Sequence, residues 1–307
     1  MFGLSKRDFF IVVILNIVWG SAFAIAGHAM KYFPPLIAYS LRFFLIAVVT
    51  IPLFQVKHRR NRKKLFIMGI CQAISFYGLC MGVNYLGSSV TAILSRFDTI
   101  STIIIGSLLF KEKMRPQIIF GLLVCLVAML ILNDGVAIHN KVWVVIIIFT
   151  SISGACVNII AKSIKNEGEF TIVSWCCYYS GFILLFLAYI QEPSFALKQP
   201  LDWTAIIALL YMSIIGSFGC YATMFYLLRN NPSNRIMPYS FLRPIVAQFT
   251  GLMIMDEAID IRAIVGISLL IVGIGFTQYR KSEELTEEQQ EKNRKTVIRK
   301  IKKIFFK

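Results

Sequence analysis

The chain has 307 residues, of which 57% are hydrophobic, and its 32 lysines and arginines against 16 acidic residues give a net charge of +16. The mean hydropathy is +0.70, and apolar runs of about 20 residues, the length that crosses a bilayer, recur throughout. This composition excludes an ordinary soluble domain and indicates an all-α polytopic membrane protein. Because the basic residues lie in short loops and a C-terminal tail, where they orient helices and meet anionic lipid, we expect no nucleic-acid partner.

Ten apolar segments are predicted to form transmembrane helices. The first begins at Phe9 after two basic residues and is too long for a secretory signal, so we expect it to be retained with its start in the cytoplasm. The second holds Arg42 and ends at the basic loop 57–64, the strongest cytoplasmic marker in the chain. The predicted helices cover about residues 9–30, 35–56, 65–86, 89–110, 116–133, 142–162, 171–190, 203–228, 235–255 and 262–279.

Positive charge in the predicted loops is concentrated on one side of the membrane. Before the tail, fifteen lysines and arginines fall on the side of the N-terminus, and four fall on the other side: Lys31, Lys141, Lys198 and Arg262. Since lysine and arginine accumulate on the cytoplasmic side, both termini are predicted to be cytoplasmic.

An internal repeat relates the two halves of the sequence. A shift of 145 residues places residues 86–114 on residues 231–259, and in this register Asp98 falls on Arg243. The first copy is followed by the basic run KEKMR and the second by the acidic run DEAID, so the flanking charge reverses sign. This reversal is expected when two similar helices cross in opposite directions.

The repeat predicts two inverted five-helix domains, residues 1–138 and 139–280, because an odd number of crossings forces a duplicated half to insert upside down. Inverted repeats of this kind are used by secondary transporters to alternate access to a site at the membrane midplane. Proline residues at 238 and 244 are expected to kink or hinge the ninth helix.

Residues 281–307 are predicted to form a cytoplasmic tail. Thr286 and Gln289 have capping-box spacing, and an apolar stripe from Val297 to Phe305 is surrounded by lysines and arginines. This pattern indicates an amphipathic helix on the anionic inner leaflet. The alternative is a disordered tail that adds solubility.

An aspartate and an arginine are predicted to meet inside the membrane. Asp98 lies roughly 14 Å below the outer end of its helix, and Arg243 lies roughly 12 Å above the inner end of its own. In a hydrocarbon core about 30 Å thick these depths nearly coincide, so we predict an ion pair across the pseudo-two-fold axis. The pair either opens as access alternates or is a static packing contact.

Three intramembrane arginines accompany this one aspartate. Arg96 is two residues from Asp98 and is expected on nearly the opposite side of its helix, so one partner should not satisfy both. Arg42 has a depth similar to that of Arg96. Together with Arg243 they leave about two positive charges in excess, which a bound carboxylate or phosphate would offset. The alternative for Arg42 is that it snorkels outward or bonds backbone carbonyls.

The sequence contains WGSAF at Trp19–Phe23, PPLIAYSLRF at Pro34–Phe43, and a glutamate, Glu112 or Glu257, at the end of two predicted helices. Together with the ten predicted helices in two inverted halves, these motifs resemble the EamA family of the drug/metabolite transporter superfamily. The resemblance covers about residues 8–280 and is closest to exporters of amino acids and related metabolites. It implies a multi-pass protein of the bacterial inner membrane, a monomer or homodimer, with a central cavity to which Trp19, Asn158 and Gln248 are expected to contribute.

The sequence favours a secondary transporter of small metabolites over the other classes of membrane protein. An enzyme is disfavoured by the lack of HExxH and GxSxG motifs, and ATP drive by the lack of a P-loop. The seven cysteines all lie in apolar runs, so we expect neither a metal site nor a cofactor. A non-transporting receptor or scaffold, and an importer of an anionic metabolite, are the alternatives.

Overall fold

The computed structural model describes residues 4–53, 55–133, 141–192, 200, 202–255 and 261–279. Within these ranges the secondary structure is helical, with no strand. The predicted tail helix, Glu257 and the boundary between the predicted domains lie outside the described residues. The α-helices are α1 Lys6–Ala29, α2 Pro35–Thr50, α3 Arg59–Leu86, α4 Ser88–Leu94, α5 Phe97–Phe110, α6 Pro116–Asn133, α7 Lys141–Ser163, α8 Glu169–Gln191, α9 Trp203–Leu210, α10 Cys220–Asn230, α11 Ser233–Ile236, α12 Leu242–Met255 and α13 Ile261–Gln278.

Several of the described helices have the length and the apolar composition of membrane spans. Six helical stretches of the described residues are long and apolar enough to cross a bilayer: 6–29, 59–86, 90–110, 141–163, 169–191 and 203–230. Three shorter apolar helices cover residues 35–50, 116–131 and 264–278. Large apolar side chains remain exposed along these helices, as expected for surfaces that face lipid chains.

The predicted fourth helix is interrupted rather than continuous. It divides into α4 and α5 at Ser95 and Arg96. In an unbroken helix the carbonyl of Ala92 would accept the backbone N–H of Arg96. It instead accepts Nε of the Arg96 side chain at 3.1 Å, and the Arg96 N–H turns to the carbonyl of Ile93 at 3.0 Å. The arginine side chain thus occupies the acceptor that a continuous helix would use.

The predicted ninth helix has a matching break. It starts as α11, continues as a 3-10 helix at Met237–Phe241 and becomes α-helical again in α12. Pro238 lacks the N–H that an α-helical turn would need here. Helix α11 begins 145 residues after α4, and α12 begins 145 residues after α5, so the element starts follow the register of the sequence repeat.

A third irregularity lies in the predicted eighth helix, where the π-helical segment Tyr211–Gly219 joins α9 to α10. Its wider turns shift the backbone acceptors: the hydroxyl of Ser217 donates to the carbonyl of Met212, five residues back. Such segments frequently occur at functional sites.

Helix packing pairs elements of the first half with elements of the second. Helix α1 packs on α12 and on the segment α9–α10, and α7 packs on α3 and on α5. Two further pairs are formed by α2 with α8 and by α6 with α13. Small residues permit the close crossings. A Cβ added to Gly20 would lie 2.5 Å from Cβ of Val246, and one added to Gly121 would lie 2.6 Å from the carbonyl of Gly273.

Two glutamates at helix ends cap helices in the opposite half. Glu192 accepts the backbone N–H groups of Leu36 and Ile37, each at 3.1 Å, at the start of α2. Glu112 accepts those of Ser233 and Asn234, at 2.9 and 3.2 Å, at the start of α11. These carboxylates satisfy N–H groups that the helices cannot satisfy internally.

Glu112 also forms an ion pair. Its Oε1 lies 2.5 Å from Nζ of Lys162, and the two side chains are 8% and 12% exposed. The ammonium donates in addition to the carbonyl of Asn231 and the hydroxyl of Ser233. The end of α5, the end of α7 and the start of α11 are thereby joined.

Candidate functional site

The breaks of the predicted fourth and ninth helices meet at a central cavity of about 70 Å³. Its walls come from α1, α2, α3, α7, α10, α12 and the α4–α5 break. The lining side chains are Trp19, Ala22, Phe23, Tyr39, Arg42, Gln72, Ser75, Phe76, Leu79, Ser95, Arg96, Asp98, Ser151, Gly154, Asn158, Tyr221 and Arg243. Since a water molecule needs about 10–15 Å³ of such space, this conformation has room for a few waters or a small ligand.

The predicted Asp98–Arg243 contact is present at one side of the cavity. Nη1 of Arg243 lies 3.8 Å from Oδ2 of Asp98. Nε of Arg243 donates to Oδ1 of Asn16 at 2.7 Å, Nη2 donates to the hydroxyl of Ser240 at 3.1 Å, and the guanidinium lies 4.0 Å from the ring centroid of Trp19. Arg243 is therefore fixed by helix α1 and by the break in its own helix.

The prediction that Arg96 points away from Asp98 is wrong. Nη1 of Arg96 lies 3.7 Å from Oδ1 of Asp98, so this carboxylate is flanked by two arginines. The prediction assumed a continuous helix, in which residues two apart face nearly opposite sides. The break at Ser95 and Arg96 removes that constraint. Arg96 also donates to the hydroxyl of Ser95 at 2.8 Å and to the carbonyl of Ser240 at 3.4 Å.

Asp98, Arg96 and Arg243 form a triad that joins the two broken helices. The arginines are 1% and 7% exposed, and the Asp98 side chain is 17% exposed on the cavity side. Oδ1 of Asp98 accepts the hydroxyl of Thr99 at 2.9 Å. Both contacts to arginine nitrogen exceed hydrogen-bond length, so the carboxylate balances charge without a direct hydrogen bond to either guanidinium.

Arg42 also lines the cavity and does not snorkel outward, contrary to one of the two predicted alternatives. It is 4% exposed, and its Nε donates to Oγ of Ser217 at 2.5 Å. The guanidinium lies 5.1 Å from the ring centroid of Phe76, 5.6 Å from that of Phe43 and 5.8 Å from that of Tyr39. Favourable cation–π contacts thus offset part of the cost of burying this charge.

The structure divides the three uncharged candidates. Trp19 lines the cavity, donates from Nε1 to the carbonyl of Gly216 at 2.7 Å and meets the ring of Tyr221 edge-on at 5.0 Å. Asn158 also lines it and donates to the hydroxyl of Thr102 at 3.3 Å. Gln248 is not among the described residues around the cavity. It lies five residues beyond Arg243 on α12, which places it on a different face of that helix.

Three positioning residues were not predicted from the sequence. Asn16, Ser217 and Ser240 hold the arginines, and all three are buried. Asn16 is a polar residue in mid-membrane, and Ser240 is the repeat partner of Ser95, so both left a sequence signal. Ser217 left none, since its position depends on the π-helical segment.

The sequence model of the EamA-like transporter family matches the chain at residues 8–134 and 141–279. The chain belongs to the EamA-like transporter family. Its relatives include a probable amino-acid metabolite efflux pump of Salmonella typhimurium, 21% identical over 88% of this chain and 94% of that protein. A protein of the same name from Escherichia coli is 23% identical with the same coverage, and an uncharacterized transporter of Archaeoglobus fulgidus is 21% identical over 86% of this chain and 96% of its own length.

A solved crystal structure also superposes on this EamA-like chain. The TM-score is 0.67, and the match covers 89% of this chain and 96% of the other at 14% sequence identity. At that identity the match shows a shared fold and carries no information on the substrate. Membership in a family of transporters places the chain among membrane proteins that move solutes and are not enzymes.

Proposed function

We propose that the protein is a secondary transporter that exports small carboxylate-bearing metabolites, amino acids or related compounds, across the bacterial inner membrane. It works by alternating access between two inverted five-helix halves, residues 1–138 and 139–280, with both termini in the cytoplasm. The proposed direction of transport is export, because two of its relatives are named probable amino-acid metabolite efflux pumps. Export draws on a substrate gradient or an ion gradient.

The inverted architecture is supported by the fold. One family model matches two successive stretches of similar length, and the helix starts Ser88 and Phe97 recur 145 residues later at Ser233 and Leu242. The helix pairing also keeps its form when the halves are exchanged: α1 on α12 corresponds to α7 on α5, and α3 on α7 corresponds to the α9–α10 segment on α1. Such repeats allow one half to rock against the other.

The observation that carries the proposal is the triad at the junction of the two broken helices. Asp98 and Arg96 come from one half and Arg243 from the other, so the ionic contact at 3.8 Å crosses the interface that alternating access would have to rearrange. Ionisable residues inside a membrane are costly and mark substrate or ion pathways. The proposal gives the Asp98–Arg243 contact the role of a switch that opens and re-forms in each cycle.

The charge of the cavity supports a carboxylate-bearing substrate. Among its described lining residues are three arginines, Arg42, Arg96 and Arg243, and one acidic residue, Asp98. The excess of two positive charges is surrounded by buried aromatic and apolar side chains. An anionic group on the substrate would lower the cost of this excess through charge-assisted hydrogen bonds to arginine.

The test is solute flux in proteoliposomes that contain the purified protein. Vesicles loaded with radiolabelled amino acids, hydroxy acids or dicarboxylates are expected to release at least one compound faster than protein-free vesicles. Release should fall at least tenfold in Asp98→Asn and Arg243→Gln. The proposal would be refuted if wild type and both variants released the compounds equally fast. It would also be refuted if no compound left the wild-type vesicles faster than it leaves protein-free vesicles. The rate of release from vesicles loaded inside is compared with the rate of uptake from the outside medium, and the difference separates export from import.

A further inference from the structure

We infer that the substrate is an organic anion with no free ammonium group, and that its carboxylate binds Arg42. This inference rests on the proposed function and narrows it: hydroxy, keto or N-acylated acids fit the cavity better than zwitterionic amino acids. The charged groups of the cavity differ in whether they already have partners: Arg96 and Arg243 each contact Asp98, and Arg42 contacts none of these three.

Arg42 is the cavity arginine whose donors are available. Among the described residues it makes one hydrogen bond, from Nε to Ser217, and it has no carboxylate within ion-pair distance. A guanidinium carries five N–H donors, so the four on its terminal nitrogens remain for a ligand in the cavity that the side chain lines. The side chain is more than nine-tenths buried. A planar carboxylate suits such a fork because it accepts two parallel hydrogen bonds.

The other two arginines are already engaged. Arg96 donates from all three nitrogens, to Ala92, Ser240 and Ser95. Arg243 donates from Nε to Asn16 and from Nη2 to Ser240, and its Nη1 faces Asp98. A ligand that bound Arg96 or Arg243 would have to displace these hydrogen bonds, whereas a ligand at the terminal nitrogens of Arg42 would displace none among the described residues.

No carboxylate that is free to pair with an ammonium group is present in the described lining of the cavity. Asp98 is the one acidic residue of its described lining, and arginine nitrogens lie 3.7 and 3.8 Å from its two oxygens. A substrate ammonium placed against Asp98 would also lie beside these two guanidinium groups. The Coulomb repulsion between like charges in a buried site would cancel the attraction to the carboxylate.

An aromatic wall surrounds the guanidinium of Arg42. It consists of the rings of Phe76, Phe43 and Tyr39. They exclude water from the carboxylate that Arg42 would bind, and they offer apolar contact to the rest of a small organic acid. None of these three side chains carries a carboxylate that could pair with an ammonium group.

The experiment compares matched pairs of acids that differ in one group. Lactate against alanine, malate against aspartate, and 2-hydroxy-4-methylpentanoate against leucine each exchange an ammonium for a hydroxyl. Binding of each labelled compound to the purified full-length protein is measured by scintillation proximity, and flux is measured in proteoliposomes. We expect the hydroxy acid of at least one pair to bind at least tenfold more tightly than its amino acid partner.

Substitutions at Arg42 test the contact itself. Arg42→Gln is expected to weaken binding of that hydroxy acid about 10- to 100-fold, because charge-assisted hydrogen bonds are lost. Arg42→Lys keeps the charge without the fork and should lose less. Arg62→Gln, the same change at an exposed arginine outside the cavity, is the matched control and should bind as wild type does. A monodisperse peak in size-exclusion chromatography verifies that each variant is folded.

The outcomes separate the inference from the proposed function. Amino acids that bind as tightly as the hydroxy acids, or binding that is unchanged in folded Arg42→Gln, would overturn the inference while transport stands. Selective binding of a hydroxy acid without flux would overturn transport and leave the Arg42 site standing. Should Arg42→Gln fail to fold, Ser217→Ala, which removes the acceptor for Nε, is expected to weaken binding severalfold, and unchanged binding in this variant would overturn the inference.

Discussion

Replacement of Asp98 by asparagine removes the charge that balances two buried arginines. Arg96 and Arg243 approach the carboxylate to 3.7 and 3.8 Å, and each would then face a neutral amide. At these separations and an effective dielectric constant of about 20, each attraction amounts to roughly 4 kcal/mol before the cost of desolvation. Breaking a buried ion pair by removal of one partner costs about 3–5 kcal/mol.

We expect Asp98→Asn to lose about 3 kcal/mol of stability, the lower end of this range, because neither contact is short enough for a hydrogen bond. In chains of 150–250 residues one kcal/mol shifts the melting temperature by about 2–4 °C, and the shift is smaller in longer chains. This 307-residue variant should therefore melt about 4–6 °C below wild type. The assay is thermal unfolding in detergent micelles, followed by intrinsic fluorescence. Asp8→Asn, at the first turn of α1 and with no arginine partner among the described residues, is the control and should cost less than about 1 kcal/mol.

Two double variants sharpen the test. Asp98→Asn with Arg243→Gln should recover part of the lost stability, because one of the uncompensated cations is gone. The charge swap Asp98→Arg with Arg243→Asp should not recover it, since the new arginine would stand next to Arg96. A melting temperature of Asp98→Asn within about 2 °C of wild type, or full rescue by the swap, would refute the triad as the source of this stability.

Three further predictions rest on other parts of the molecule. Glu112→Gln should cost about 3 kcal/mol, because it removes the buried partner of a lysine 2.5 Å away, whereas Glu169→Gln, in a pair that is 30% exposed on the acid side, should cost less than about 1 kcal/mol by the same unfolding assay. Gly20→Ala should destabilise by about 1–3 kcal/mol and slow flux, since its Cβ would meet a valine of α12 at 2.5 Å, and Gly275→Ala, with open space around it, should be neutral or slightly stabilising. Hydrogen bonds from a threonine hydroxyl, an alanine N–H and a tyrosine hydroxyl lower the pKa of Asp202 to about 2. The ionised carboxylate therefore stabilises the fold above a pH of about 4, and this contribution is lost as the pH falls through about 2. Below that pH the melting temperatures of wild type and Asp202→Asn should converge.

Much of the architecture was predictable from the hydrophobic pattern and the internal repeat of the sequence. Hydrophobic runs of bilayer length predicted the order of the helices, and the described helices follow it. The 145-residue register placed Asp98 opposite Arg243, and the two lie 3.8 Å apart. Both predictions need only the hydrophobicity of segments and the spacing of residues, from which the depth of a side chain in the membrane follows.

The tertiary structure alone decided how the charges are arranged. Arg96 turns toward Asp98 because its own side chain takes the carbonyl of Ala92 and interrupts the helix, a competition between side chain and backbone that no periodicity reveals. Arg42 stays inside because it donates a hydrogen bond to Ser217. This acceptor lies 175 residues away in the sequence, on a π-helical segment, so the sequence did not reveal the contact. Hydrophobic pattern fixes which segments enter the membrane, since burial of apolar surface is non-directional. The orientation of a polar side chain depends on hydrogen bonds to partners that only the folded chain brings within reach.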